Sequence, residues 1–158
     1  MTDVAHVYNG DILAADFTLD GADLAAEDGL ATAVIISLFT DRRAETDDEL
    51  PAGQGDSSRG WWGDAVAPTV AGTEIAGDRI GSRLWLLSRE KQTPEVLARA
   101  KEYAQEALQW LIDDGIAERV DVETGIVRTG VLGIGVVIHR PGGGAVDYRF
   151  DHLWEGTG

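Results

Sequence analysis

The segment that most constrains the fold is the run from Thr93 to Gly115, which has the pattern of one long amphipathic helix. Thr93 is a good N-cap, and Pro94 takes the first helical position, where its missing N–H costs no hydrogen bond. Gly115 supplies the left-handed residue that ends many helices. Apolar residues recur at steps of three and four positions and form one stripe: Leu97, Ala100, Ala104, Ala107, Leu108 and Leu111. We therefore predict a helix of roughly 30 Å, at about 1.5 Å per residue, on which a sheet packs.

The segments after this helix predict a C-terminal antiparallel sheet. Residues 116–122 and 126–139 have the composition of strands, and we predict that residues 123–125 form the turn between them. Pro141 and the three glycines that follow it make a flexible connection to a third strand. That strand is predicted around residues 145–154, where apolar and polar side chains alternate.

The segments before the helix are less regular. Residues 11–19 are predicted to be extended. Residues 29–44 include the β-branched run 34–36, which is compatible with a strand. Their length, their alanines and Asp28 as a possible N-cap also allow a buried helix, and the family resemblance described below favours the helix. Residues 81–89 form a short apolar run that is compatible with a helix leading toward the long one.

The order of these segments predicts an α+β fold. N-terminal helices and one long amphipathic helix are expected to pack on a mainly antiparallel C-terminal sheet. A length of 158 residues fits one domain, residues 1–158, with room for a core. Residues 45–58 carry a proline, two glycines and five acids, so we expect them to form an acidic surface loop that is mobile in isolation.

Composition and charge disfavour several classes of protein. The chain has no cysteine, which leaves no disulfide or thiol chemistry. Its 28 acidic and 13 basic residues give a net charge of −15, whereas a nucleic-acid binder needs clustered Lys and Arg. No apolar run reaches membrane-spanning length and no signal-peptide pattern is present, so we expect assembly in a cytoplasm. An acidic mimic of nucleic acid remains an alternative, although the even scatter of acids after residue 91 speaks against it.

Signals for catalysis are weak. The three histidines are isolated, and neither a metal-ligand spacing nor a phosphate-binding glycine loop occurs, so we predict no catalytic residue, no metal and no cofactor. A pair of carboxylates is the one catalytic alternative that remains, as in an acidic peptidoglycan hydrolase. Asp41, Asp64 and Glu118 are candidates for that pair, but nothing in their spacing selects two of them.

Tryptophans and arginines are the candidates for contact with another protein. Trp61 and Trp62 lie between glycines after a polar loop, where a tryptophan pair either clamps the loop onto the core or forms a hot spot for a partner. The arginines either pair with the many internal acids or fork onto carboxylates of a neighbouring protein. The arginines of this group are Arg42, Arg43, Arg59, Arg83 and Arg89.

Four blocks, in order along nearly the whole chain, carry a family resemblance. They are LATAV leading into LFTDRRA within residues 30–44, RGWWGD at 59–64, GSRLWLL at 81–87, and residues 104–115 around ALQWL. Together they resemble the small baseplate protein family of Mu-like phages and prophages, and TDRRA with GWWGD is a specific combination. That family is similar to the inner wedge protein of contractile-tailed phages, which is often labelled lysozyme-like.

The resemblance implies a structural, non-enzymatic role in the virion tail. About six copies would ring the central hub or tube, as a closed cyclic assembly, and contact the larger wedge protein and the first layer of the tail sheath. Neither a nucleic acid nor a membrane is an expected partner. The wider superfamily has a Glu-Pro-Arg motif in the strand after its long helix; the segment Ala117–Val120 lacks the proline, so only Arg119 is carried over as a candidate contact.

Six side chains and the edges of the predicted sheet are the expected sites of partner binding. The residues expected to contact partners are Arg42, Arg43, Trp61, Trp62, Arg83 and Arg119. In addition, a three-stranded meander leaves sheet edges unpaired, and an unpaired edge accepts a strand from another chain. Residues 126–139 or 145–154 are therefore expected to accept a strand from the sheath or from an adjacent wedge subunit.

Overall fold

The computed structural model begins with short antiparallel strand pairs. It describes the backbone of these strands and then residues 29–51, 53, 58–61, 69–74 and 79–153. The strands are β1 (Asp3–Val4), β2 (His6–Asn9), β3 (Ala14–Phe17), β4 (Leu19–Asp20), β5 (Asp23–Leu24) and β6 (Ala26–Glu27). β1 pairs with β6, β2 with β3 and β4 with β5. The predicted extended segment 11–19 is confirmed where it overlaps β3 and β4, and its other residues lie outside the described part.

The first helix, α1, spans Leu30–Phe39, so the helical alternative for residues 29–44 is the right one. Its N-cap is Gly29, at φ 83°, and the prediction of Asp28 as the cap is wrong; Asp28 itself lies outside the described residues. Glycine adopts this left-handed conformation without a Cβ clash, and its carbonyl accepts the N–H of Ala33 at 3.0 Å. Val34, which belongs to the β-branched run, is fully buried in the core from its position on this helix.

Between α1 and the long helix the chain forms a hairpin and a single turn of 3₁₀-helix. Strands β7 (Thr69–Val70) and β8 (Thr73–Glu74) pair antiparallel. The apolar run predicted at 81–89 forms a 3₁₀-helix over Leu84–Leu87, and all four of its side chains are buried. It is tighter than an α-helix because its N–H groups reach back three residues, as from Leu86 to the carbonyl of Arg83 at 3.0 Å.

The long helix exists but is interrupted. It consists of α2 (Pro94–Leu108) and α3 (Trp110–Asp113), with the regular pattern broken at Gln109, so the prediction of one unbroken helix over 93–115 is wrong. The break is a local tightening, since the N–H of Gln109 reaches back only three residues, to the Glu106 carbonyl at 3.3 Å. Both predicted ends are confirmed: the Thr93 hydroxyl caps the first turn at 3.4 Å, and Gly115 has φ 71°.

The C-terminal sheet has three antiparallel strands in the order β11-β10-β9, which confirms the α+β class. They are β9 (Arg119–Arg128), β10 (Val131–His139) and β11 (Ala145–Leu153). The side chains of β10 alternate, and those that face the helices are almost fully buried: Leu132, Ile134, Val136 and Ile138. One hydrophobic cluster joins them to α1, the 3₁₀-helix, α2 and α3. None of the described helices combines the length and apolar composition needed to cross a lipid bilayer.

The predicted turn at residues 123–125 is wrong. These residues lie inside β9, and the chain reverses at Thr129-Gly130 instead. Both places carry the dipeptide Thr-Gly, but only Gly130 adopts the left-handed conformation, with φ 79°. Thr124 is held in the strand because its hydroxyl donates to the carbonyl of Leu97 on α2 at 2.9 Å.

A glycine makes the junction between α1 and the 3₁₀-helix possible. The N–H of Ser82 donates to the carbonyl of Thr40 at 2.9 Å, and the N–H of Arg42 donates to the carbonyl of Ser82 at 2.9 Å. Gly81 has φ 101°, and a Cβ on it would lie 2.3 Å from the Thr40 carbonyl oxygen. Any side chain at position 81 therefore pushes these two segments apart.

Gly81→Ala is expected to lower the free energy of unfolding by more than about 3 kcal/mol, because backbone strain and a clash with backbone act together. Gly72→Ala is the matched control, since Gly72 also has a left-handed φ of 81° but no atom within 4 Å of its Cβ position. That control should cost only about 1–2 kcal/mol, and urea unfolding measures both values. Equal losses would contradict the close contact at Gly81.

A half-buried histidine ties the end of β11 to α1. The ring of His152 stacks on Phe39 with centroids 5.3 Å apart, and Phe39 in turn packs edge-on against Phe150 at 5.6 Å. Burial lowers the pKa of His152, and the charge of Asp41 opposes this only in part. The neutral form of the imidazole is therefore the one that the fold favours.

The stability of the protein is expected to fall as the pH drops from 7.5 to 5.5, in part through His152. Because the unfolded chain takes up the proton at a higher pH than the folded protein does, acid favours unfolding at this group, and its contribution is present above the unfolded pKa. His152→Phe should flatten that part of the pH dependence. Parallel curves for both proteins in urea unfolding would contradict this role.

Candidate partner-binding surface

The candidate surface is built on the extended stretch that follows α1. The N–H of Arg42 donates to the Ser82 carbonyl at 2.9 Å, and the N–H of Ala44 donates to the Ser58 carbonyl at 2.9 Å. The indole N–H of Trp85 donates to the carbonyl of Arg42 at 2.8 Å. Three hydrogen bonds to two other segments, residues 82–85 and Ser58, therefore fix the backbone that carries the two consecutive arginines.

Arg42 and Arg83 converge on one carboxylate. Glu106 accepts Arg42 at 3.3 Å and two nitrogens of Arg83 at 2.9 and 3.0 Å, while Asp48 accepts Arg83 at 2.7 Å. The Arg83 guanidinium also lies over the ring of Tyr103, 4.6 Å from its centroid. Burial alone lowers the pKa of Arg83, but its hydrogen bonds to Asp48 and Glu106 outweigh burial and raise it. We call these five residues the arginine cluster.

Arg59 forms a second arrangement beside the cluster. Its guanidinium pairs with Asp41 at 2.7 Å and lies over the Trp85 ring, 4.8 Å from the centroid. Arg59 and Gly60 have φ values of 48° and 109°, so two consecutive residues are left-handed and the chain turns sharply. The turn is held against the core by the ion pair and by the cation–π contact.

Two predicted contact residues sit on the outside of this turn. Trp61 follows it directly and exposes 39% of its surface. Arg43 is exposed and donates to the hydroxyl of Ser58 at 3.1 Å. A Cβ on Gly60 would lie 2.9 Å from the Cβ of Arg43, so the turn is pressed closely against that residue. Trp62 lies outside the described residues.

Arg119 is placed elsewhere, on the sheet. It is the first residue of β9, exposes 64% of its side chain, and pairs with Asp121 at 2.9 Å. His139 of the neighbouring strand also contacts Asp121, at 2.8 Å. The hydrogen bond from His139 and the charge of Arg119 lower the pKa of Asp121. The structure thus brings Arg42, Arg43, Trp61 and Arg83 together and leaves Arg119 in a separate group.

Sequence reasoning missed the acidic members of the arginine cluster. Asp48 and Glu106 lie 35 and 23 positions from Arg83, and no local spacing links them. Of the three carboxylates considered for catalysis, Asp41 pairs with Arg59, Glu118 is exposed, and Asp64 lies outside the described residues. Within the described ranges, no three histidine or acidic side chains are grouped as a metal site would need.

Comparison with known proteins agrees with the blocks identified in the sequence. Residues 30–145 match the phage protein GP46 family. The chain is 43% identical over 159 aligned positions to the baseplate protein gp46 of Escherichia phage Mu, covering 99% of this chain and 100% of that protein. This chain belongs to the gp46 family of Mu-like phage baseplate proteins. It is also 38% identical over 156 positions to the Mu-like prophage FluMu protein gp46 of Haemophilus influenzae, covering 98% and 99% of the two chains.

The family match confirms the resemblance and covers the arginine cluster. The matched segment begins at the first residue of α1 and reaches the first residue of β11. In this gp46-family chain it therefore contains the helices, two complete strands of the sheet and all five cluster residues.

A second surface feature is an apolar groove of about 300 Å³ along α1 and α3. Its lining includes Ile36 and Ile80, which expose 47% and 38% of their surface, and Trp110, whose indole N–H donates to the Ser37 hydroxyl at 3.0 Å. Exposed apolar side chains that lie next to each other are typical of surfaces that bind another protein.

Arg83→Ala is expected to lower the free energy of unfolding by about 2–4 kcal/mol, because it leaves the nearly buried Asp48 carboxylate without its arginine and Glu106 with Arg42 alone. Arg43→Ala is the matched control, and its exposed guanidinium predicts a change within about 0.5 kcal/mol. Urea unfolding of both variants checks the difference. A loss for Arg43→Ala as large as that for Arg83→Ala would mean that the two arginines have the same structural role.

Proposed function

We propose that this chain is a non-enzymatic structural subunit of a contractile-tail baseplate. The observation that carries the proposal is its full-length match, at 43% identity, to a protein named as a baseplate component of phage Mu. The subunit then resides in the virion tail and assembles in the host cytoplasm. Its ionisable groups support the proposal, because the arginine cluster joins acids and bases to one another inside the chain.

We further propose a position in the inner wedge ring around the hub. About six copies would form a closed ring, each contacting the larger wedge protein and the first layer of the sheath. The chain acts as one domain over residues 1–158, and the acidic loop at 45–58 is part of it, although residues 52 and 54–57 lie outside the described residues. The ion pair of Asp48 with Arg83 anchors one point of that loop.

The exposure of the candidate contact residues suggests two roles. Arg43, Trp61 and Arg119 are exposed, and we assign them, with Trp62, to direct contact with the larger wedge protein. Arg42 and Arg83 expose only 15% and 18% of their side chains. Only a small part of each guanidinium can contact a partner. Their main role is to fix the backbone of this surface through their ion pairs with Glu106.

The outer edge of β11 supports attachment of a partner strand. The N–H of Arg140 donates to the Gly144 carbonyl at 3.0 Å, which fixes the alternation of hydrogen bonds in the β10–β11 hairpin. It follows that the odd-numbered residues of β11, such as Asp147, direct their N–H and C=O away from β10. No described segment pairs with that edge. We propose that a strand from the sheath or an adjacent subunit pairs there.

Asp147→Pro is expected to abolish tail assembly while changing the melting temperature by only a few degrees, since proline removes an outward donor and leaves the bonds to β10 intact. Asp147→Ala is the matched control: it loses the same carboxylate but keeps the N–H, so it should assemble more tails than the proline variant, and that difference measures edge pairing alone. The assay is rescue of a Mu-like phage that lacks this gene, scored as intact tails by electron microscopy. Normal tails with the folded proline variant would exclude strand addition at this edge.

A further inference from the structure

The outer face of the sheet, opposite the core, has a floor made of glycines. Gly133 and Gly135 alternate with buried residues of β10 and therefore point outward. Gly125 of β9 is the direct neighbour of Gly133. Three adjacent positions on this face thus carry no side chain.

Side chains of both outer strands form the walls of this trough. Register places Glu123 of β9 and Arg149 of β11 on either side of Gly135, and Asp151 beside Gly133. Two cavities of about 290 and 360 Å³ share Glu123, Gly135 and Arg149, so they adjoin at Gly135 along the trough. Its other end is lined by Asp121 and Asp147 of the two outer strands and by Lys101 and Gln105 of α2.

The fold accounts for only one of the three glycines. A Cβ on Gly133 would lie 2.6 Å from a methyl of Val127, so that position has no room. At Gly135 the nearest atom would be 3.9 Å away, on Glu123, and at Gly125 nothing lies within 4 Å. Neither of these two has a left-handed φ. Glycine inside a strand costs roughly 0.5–1 kcal/mol relative to alanine, so the fold alone would favour a side chain at both positions.

Glycine in the interior of a strand is typical of sites where another chain approaches the backbone closely. The charge of the walls indicates which kind of chain. Asp121, Glu123, Asp147 and Asp151 line the trough, against two cations, Lys101 and Arg149. Asp121 pairs with Arg119 and Asp147 with Arg149, so Glu123 and Asp151 are the carboxylates that favour a basic segment. A second copy of this protein, with 28 acidic and 13 basic residues, is a poor source of such a segment.

We propose that the trough binds an extended basic segment of another baseplate protein, an inference that rests on the proposed baseplate role. The aliphatic stem of a lysine or arginine lies over Gly135 and Gly125, where its methylene groups replace water on bare backbone. Its charged end reaches Glu123 or Asp151 at the walls. This face is distinct from the outer edge of β11, so one subunit holds one segment by edge pairing and a second by its sheet face.

The test supplies the Gly135→Val variant to a Mu-like phage that lacks this gene and measures the phage titre. Valine fills the trough and suits a strand, so the melting temperature of the purified variant should stay equal or rise, while the titre falls at least tenfold. Ala98→Val is the matched control, because it enlarges an exposed residue of α2 that lies outside both the trough lining and the edge of β11, and it should rescue fully. The double reversal Glu123→Lys with Asp151→Lys changes charge without filling space, and it should also lower the titre at least tenfold.

The outcomes separate this inference from the proposed function. If the phage assembles normal tails without the gene, the baseplate role itself fails. If the wild-type gene is required but Gly135→Val and the double reversal both rescue like Ala98→Val, the trough is not a binding site and the baseplate role stands.

A direct binding measurement uses a ten-residue peptide of alternating lysine and threonine, titrated into the isotopically labelled full chain. Amide shifts are expected to concentrate at Gly125, Gly133 and Gly135 and to be lost in Gly135→Val. A matched peptide of glutamate and threonine should leave these signals unmoved. Lysine-peptide shifts that scatter over the acidic surface, or that persist in Gly135→Val, would overturn the proposal.

Discussion

The carboxylate of Glu106 is the contact on which the arrangement of the helical half depends. It receives Arg42 from the stretch after α1 and Arg83 from the start of the 3₁₀-helix, while it is itself fixed on α2. Arg83 extends the link to the acidic loop through Asp48. Three regions that are distant in sequence, residues 42–48, Arg83 and Glu106, thus meet at a few partly buried charges. Each of these charges needs its partner, so neutral replacement of one member is costly.

In the sheet half of the molecule, only one face of the sheet packs against the core. Helix α2 and the buried side chains of β10 close the inner face, while the outer face and the edge of β11 are left open in the part of the chain that the structure describes. A small subunit built this way has a packed core and two open surfaces, to which we propose that extended segments bind. That combination suits a protein whose proposed role is to hold other polypeptides in a ring.

Local physical rules predicted the parts of the fold that are decided locally. The cap at Thr93, the stop at Gly115 and the three strands follow from hydrogen bonding and periodicity along the chain. The turn was misplaced because two Thr-Gly dipeptides look alike until the contact of Thr124 with α2 is known. The candidate arginines were identified from residue type alone, but their acidic partners were not, since those pairs depend on how distant segments pack.

A density map of an intact tail at side-chain resolution would show directly whether this gp46-family chain is a structural part of the baseplate. About six copies of the chain are expected around the hub, related by rotational symmetry. An additional strand should lie along the outer edge of β11, and an extended segment should lie over the glycine floor. If a baseplate map accounts for every subunit and does not contain this chain, the structural role is wrong.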